Sequence, residues 1–248
     1  YYLVPVMTMT GIAGFVLGGP FVWLGFGTFP VLMMLDIALP NDSKMRALGI
    51  SSVADLAIYL QLPLMIALYL VFAHSVNSGT NPILGDAASG WQIAGSIASL
   101  AWLSAVPTLP VAHELMHRRH WFPRAVAKGL SAFYGDPNRD IAHIVTHHVH
   151  LDTEKDSDTP LRGQTIYSFV FSATWGSYKD TWDKQAEILS RLGHSKWSWR
   201  NAMWLQLVLV GAIIGVMVVL AGPIAGLVTV TAMFFAKMLV EGFNYFQH

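Results

Sequence analysis

Two clusters of histidine carry the chemistry open to this sequence. His113-Glu-Leu-Met-His117 is followed, 26 residues on, by His143-Ile-Val-Thr-His147-His148. Residues four apart share a helix face, so each cluster can aim two imidazoles at one point, which is metal-ligand spacing twice. His148 is rotated ~100° from His147, which suits bridging two neighbouring ions more than crowding one. Imidazole serves iron, copper and zinc. Ligand type therefore leaves the metal open, while the count points to two ions. A HExxH zinc protease, with Glu114 activating a bound water, needs three protein ligands and an open position, and this chain offers too many. The carboxylate pattern of soluble di-iron bundles is missing, so an all-histidine or nearly all-histidine site is implied.

Around these boxes lie residues with supporting roles. His120 and His150 sit three after His117 and His147, within reach of the metals, and read as neighbours of the ligands or as solvated. Glu241 and Asn244 lie in Glu-Gly-Phe-Asn-Tyr-Phe-Gln, which leads to His248. A carboxylate at the end of an apolar run expects a partner, and this pair can orient a liganding histidine by a hydrogen bond. The acidic stretch from Leu151 to Pro160 lacks the glycine and terminal glutamate of a calcium loop. It reads as a solvated loop, with a carboxylate such as Asp152 placed to hydrogen-bond a histidine's free nitrogen. His74 and His194 read as ordinary surface residues.

The elements that must position the histidines are membrane helices. The chain is 54% hydrophobic and 12% charged, with positive mean hydropathy. Apolar stretches recur at about 3–19, 21–39, 53–72, 91–111, 204–221 and 223–243, each near the ~20 residues that a crossing needs. Twelve of the 15 basic residues lie from Arg118 to Arg200 and two more are Lys44 and Arg46, while the linkers around Gly19, 77–90 and Ala221 have none. Positive loops stay inside. Three hairpins with the N-terminus inside satisfy all five linkers, and they put every histidine box and His248 on the cytoplasmic side. That convergence makes His248 a sixth ligand. It also counts against a metal transporter, whose sites lie near the bilayer midplane. The expected fold is all-α and polytopic, one membrane domain over 1–248, with a cytoplasmic segment from 112 to 203.

Within that segment, Ala125 to Tyr134 is an apolar patch for the interface or the bundle. Gly135-Asp-Pro-Asn-Arg-Asp140 is a turn, with Asp140 placed to cap the helix of the second box. Thr165 to Leu192 reads as a surface-lying helix ended by Gly193. Trp23, Phe26, Trp102 and Met238 are candidate linings of an apolar substrate channel, although for any one of them membrane packing is the better explanation. The net charge is zero, which gives nucleic-acid binding no support. Cysteine is absent, so no disulfide or cysteine-held iron–sulfur cluster forms here, and redox chemistry needs a partner's electrons. The start at Tyr1-Tyr2-Leu3, without Met or a basic leader region, reads as a fragment start.

The stretches HELMHRRH (113–120), FYGDPNRDIAHIVTHHVHLDTEKDSDTPLRGQTIYSFV (133–170) and EGFNYFQH (241–248) resemble the membrane hydroxylase components of xylene monooxygenases. These stand with the alkane monooxygenases in the wider membrane fatty-acid-desaturase-like superfamily. The resemblance implies a di-iron centre at the cytoplasmic face of a bacterial inner-membrane protein, held by His113, His117, His143, His147, His148 and His248. It implies hydroxylation of a toluene or xylene methyl group by dioxygen. Electrons would come from an NADH-dependent flavin and [2Fe–2S] reductase, with no haem, flavin or cluster in this chain. An alkane hydroxylase or a fatty acid desaturase is the alternative within the superfamily. The family continues past the last stretch into a third histidine box, so the sequence to His248 is expected to be an incomplete hydroxylase.

Overall fold

The computed structural model describes residues 2–40, 51–81, 90–141, 153 and 156–247. The described residues are helical and loop, with no strand among them. They form two compact units, Tyr1–Leu103 with Gly215–Ala232 and Ser104–Ile214 with Met233–His248.

In the first unit, α1 (Leu3–Leu17) turns through Gly18 into a 3₁₀ segment, Gly19–Trp23, and then α2 (Leu24–Ala38). The turn is tight: Gly18 has φ 68°, and a Cβ there would lie 2.1 Å from the Thr80 carbonyl oxygen, so only glycine fits. Gly11 and Gly25 let the two helices close, a Cβ on Gly11 falling 3.6 Å from the Gly25 Cα. α3 (Ser51–Asn77) packs on α1 through Phe15 and Phe72, whose ring centroids are 5.3 Å apart. It runs five residues beyond the apolar stretch that ends at Phe72, because a helix need not stop where hydrocarbon does. α4 (Gly90–Ala105) then meets the α1–α2 hairpin: Ser99 Oγ donates to the Val22 carbonyl at 2.6 Å and accepts from the Phe26 amide at 3.0 Å.

In the second unit, α5 (Thr108–Met116) follows α4 after a break at Val106-Pro107, where proline removes a backbone donor. α6 (Trp121–Ala132) buries Pro123, Val126, Ala127 and Leu130, a helical stripe that packs on α5, so the apolar patch faces protein. A turn, α7 (Arg139–Ile141), precedes the second histidine box. Asp140 lies inside this turn, where its carboxylate receives Lys128 at 2.7 Å and Arg124 at 3.2 Å. The helix that it was expected to cap lies outside the described residues. α8 (Ile166–Arg191) is capped by Thr165, whose hydroxyl accepts the Ser168 amide, and it ends before Gly193. Phe169, Ala173 and Ser177 are buried, while Tyr167, Phe171 and Trp175 form an exposed aromatic stripe.

α9 (Ala202–Gln247) contains one non-helical residue, Gly222, with φ 84°, followed by Pro223. Its limbs match the expected stretches 204–221 and 223–243. Gln206 Nε2 donates to the Gly135 carbonyl at 3.0 Å, and Lys237 Nζ reaches Asp136 at 2.6 Å. A straight helix would separate Gln206 from Lys237 by ~46 Å, so the chain must fold back at Gly222. Glycine supplies the positive φ, and proline suits the first turn of the returning limb.

Among the described residues, four helices are long and apolar enough to cross a membrane: Gly19–Ala38, Ser52–Asn77, Gly90–Met116 and Ala202–Gln247, the last containing the fold-back. Leu3–Leu17 is a shorter apolar helix.

Candidate metal centre

The first box sits at the end of the span formed by α4 and α5. Val111, Ala112, Leu115 and Met116 are buried, which fixes the rotation of α5 and leaves His113, Glu114 and His117 on the exposed face. The two histidines converge. Their Nε2 atoms are 3.2 Å apart and the ring centroids 4.7 Å apart. Two nitrogens 3.2 Å apart, each ~2.1 Å from a shared ion, subtend ~100° there, between the octahedral and tetrahedral angles. The pair therefore fits two adjacent positions on one first-row metal ion. Among the described residues no group of three or more metal-ligating side chains assembles. His143, His147, His148, His150, Asp152 and His248 lie outside the described residues.

The neighbours have defined local work. His120 is the N-cap of α6, its Nδ1 accepting the Phe122 amide at 3.3 Å. Glu114 forms a surface pair with Arg118 at 3.4 Å, a contact that contributes little in water. Trp23, Phe26 and Trp102 belong to an aromatic run of the first unit, and the indole nitrogens of Trp23 and Trp102 donate to the Trp91 carbonyl and to Thr28. Met238 is half-buried in the second unit.

What sequence reasoning missed is a buried ionic cluster adjoining the segments that carry the remaining boxes. Arg139, four residues before His143, reaches Asp158 at 3.0 Å through Nη2 and Glu241 at 3.0 Å through Nη1. Lys237 Nζ bridges Asp136 and Glu241, each at 2.6 Å. Asn244 Nδ2 donates to the other Glu241 oxygen at 2.8 Å. Glu241 thus has the partner expected of it, but both its oxygens are engaged by this cluster. Asp158, expected in a solvated loop, is buried because the guanidinium draws it in, and Asp156 is buried beside it, accepting the Asp158 amide and the Thr159 hydroxyl. Burial opposes the charge of Arg139, yet Asp158, Glu241 and Asp136 outweigh it and hold its pKa above the ordinary arginine range. Burial also pushes the Tyr134 phenol up to about 12, and the Tyr178 phenol up to about 12. One local signal was available: Lys237 and Glu241, four apart in an apolar run, where an ionisable residue by default marks a site.

Fold and site define an all-helical multi-pass membrane protein with a metal-fitting histidine pair at the end of one apolar helix. A family model described as fatty acid desaturase matches residues 89–248, which include both histidine boxes. The chain belongs to the fatty acid desaturase family. It is 56% identical over all its 248 residues to the xylene/toluene monooxygenase hydroxylase component of Pseudomonas putida, covering 66% of that protein. It is 27% identical over 92% of its length to an alkane 1-monooxygenase of Ectopseudomonas oleovorans, covering 55% of it. A similar match, 25% identical, joins it to alkane 1-monooxygenase 1 of Alcanivorax borkumensis, of which it spans 56%.

Proposed function

We propose that the protein is the hydroxylase component of a membrane monooxygenase that converts a methyl group of toluene or a xylene to the benzylic alcohol. The convergence of His113 and His117 carries the metal chemistry, and the relative at 56% identity supports the substrate class. His113, His117, His143, His147, His148 and His248 would hold two irons, which when bound supply the activation of dioxygen. The chain's own part is positional. The Pro107 break and the buried face of α5 aim the first pair. Arg139 ties the turn before the second box to Asp158 after it and to Glu241, seven residues before His248. The two flanks of the second box and the stretch leading to His248 thus meet on one guanidinium. Six crossings would set the N-terminus and the site at the cytoplasmic face of the inner membrane. The chain has no cysteine to hold a [2Fe–2S] cluster, so electrons would come from a separate NADH-dependent flavin and [2Fe–2S] reductase.

The test combines metal and product analysis on the polypeptide as encoded, expressed with its reductase. Expected are two irons per chain and benzyl alcohol carrying one atom of oxygen from labelled dioxygen gas. His113→Ala should lower the iron content while the protein still inserts in the membrane. A single zinc would support a hydrolase instead. An unsaturated fatty acyl product, or oxidation of linear alkanes alone, would move the protein to another branch of the family.

A further inference from the structure

In the first unit, α1 and α2 leave between them a pocket of about 290 Å³ that the metal chemistry does not use. α1 lines it with Leu3, Val6 and Thr10, and α2 with Gly27, Val31 and Leu35. These positions recur at helical spacing, so the pocket is a groove running along both helix axes. From Leu24 to Leu35, its end positions on α2, the rise is ~16 Å. The hydroxyls on its walls have partners within the hairpin or behind it. Thr10 Oγ1 donates to the Val6 carbonyl at 2.9 Å; Thr28 Oγ1 donates to the Gly25 carbonyl at 2.7 Å and accepts the Trp102 indole at 2.8 Å. An occupant is therefore offered hydrocarbon contact and little else. Val6, Val31 and Leu35 are exposed along the groove, which leaves it open sideways on a hairpin whose second helix is long and apolar enough to cross a membrane.

Gly27 is the informative residue. A Cβ on Gly11 or Gly25 would strike Leu103 or Ser99, so packing explains those glycines, whereas a Cβ on Gly27 would meet nothing within 4 Å. The missing side chain there keeps the groove wall open.

We propose that this groove seats one acyl chain of a bilayer phospholipid, lying along α1 and α2. Shape selects that occupant. An extended chain advances ~1.25 Å per carbon, given C–C bonds of ~1.52 Å at tetrahedral angles, so the groove takes about 13 carbons. A single aromatic ring covers less than half of that length and would leave the rest of the apolar wall without contact.

The experiment is photolabelling of the protein in vesicles of phosphatidylcholine that carries a diazirine on one acyl chain, with cross-linked peptides mapped by mass spectrometry. Label should concentrate on residues 3–10 and 24–35, several-fold above the exposed faces at Val16 and Val219. Gly27→Ala, whose added carbon meets nothing, should keep the label. Gly27→Leu should lose part of it, and Gly27→Phe most of it, with thermal midpoints read alongside to show that the variants fold. Even labelling over all exposed apolar faces, or labelling indifferent to Gly27→Phe, overturns the proposal. So does loss of label on adding toluene, which would make the groove a seat for a compact guest, or cross-linking of α2 to a second copy of the chain.

Discussion

The two units solve the same problem, how to bury polar groups, in opposite ways. Inside the first, the buried polar side chains among the described residues are neutral. Gln61 Nε2 donates to Thr8 Oγ1 at 3.0 Å, Asn81 Nδ2 to Ser96 Oγ at 2.8 Å, and Ser99 bridges backbone groups. Inside the second, Arg139 and Lys237 face Asp136, Asp158 and Glu241, all nearly without solvent exposure. Charge is costly to bury and is rarely kept except where geometry matters. The first unit sets helix register by shape, with small residues where helices close. The second sets it by directional ion pairs, and it also contains all six proposed ligands. A metal site tolerates little misplacement of its donors, which gives the second unit a reason to hold its segments by charge.

The sharpest way to break this contrast is Arg139→Met. Removing the guanidinium from between buried carboxylates should destabilise the protein by ~3–5 kcal/mol, read as a lowered unfolding midpoint in detergent. Arg139→Lys should recover only part of the loss, because an ammonium cannot fork to Asp158 and Glu241 together. If Arg139→Met stays within ~1 kcal/mol of the parent, below the range expected for breaking a buried pair, the cluster is not what holds these segments.

The first unit should respond far less. Gln61→Leu should cost ~1 kcal/mol, since Thr8 Oγ1 retains its bond to the Val4 carbonyl at 3.1 Å. Thr8→Val combined with Gln61→Leu should be nearly neutral, because both partners become apolar together. Unfolding midpoints of the two single variants and the double close the cycle. A double variant as damaged as Arg139→Met would erase the difference between the units.

What could be read from sequence follows the same division. The first box was legible because its geometry is local: two histidines four apart on a helix must share a face. The limbs of α9 were legible because Gly222-Pro223 places the one proline of that apolar run directly after a glycine. The ionic cluster was not, because Arg139 meets partners 19 and 102 residues away, and only the fold-back at Gly222 brings Glu241 to the turn that carries Arg139. Asp156 and Asp158 were misread for that reason, since an acidic run looks solvated until a buried cation is known to face it. The second box and His248 lie outside the described residues, so their place rests on pattern and family.

An effect absent at neutral pH appears only in alkali, and it tests whether the interior of the second unit is as dry as its ion pairs suggest. Tyr134 is fully buried, its hydroxyl 2.7 Å from Ser131 Oγ, and burial pushes its pKa up to about 12 from the usual 10. The folded state therefore keeps this proton while the unfolded chain begins to lose it. Stability is fully present below pH ~10 and falls as pH rises through the folded pKa, by ~1.4 kcal/mol per unit of pH within that window. At neutral pH the term vanishes. Tyr134→Phe should lose ~1 kcal/mol at pH 8 with the Ser131 hydrogen bond, yet show a shallower decline above pH 10 than the parent. Equal slopes for the two proteins between pH 10 and 11.5 would mean that water reaches the phenol. The ion pairs beside it would then be worth closer to what such pairs contribute at a surface.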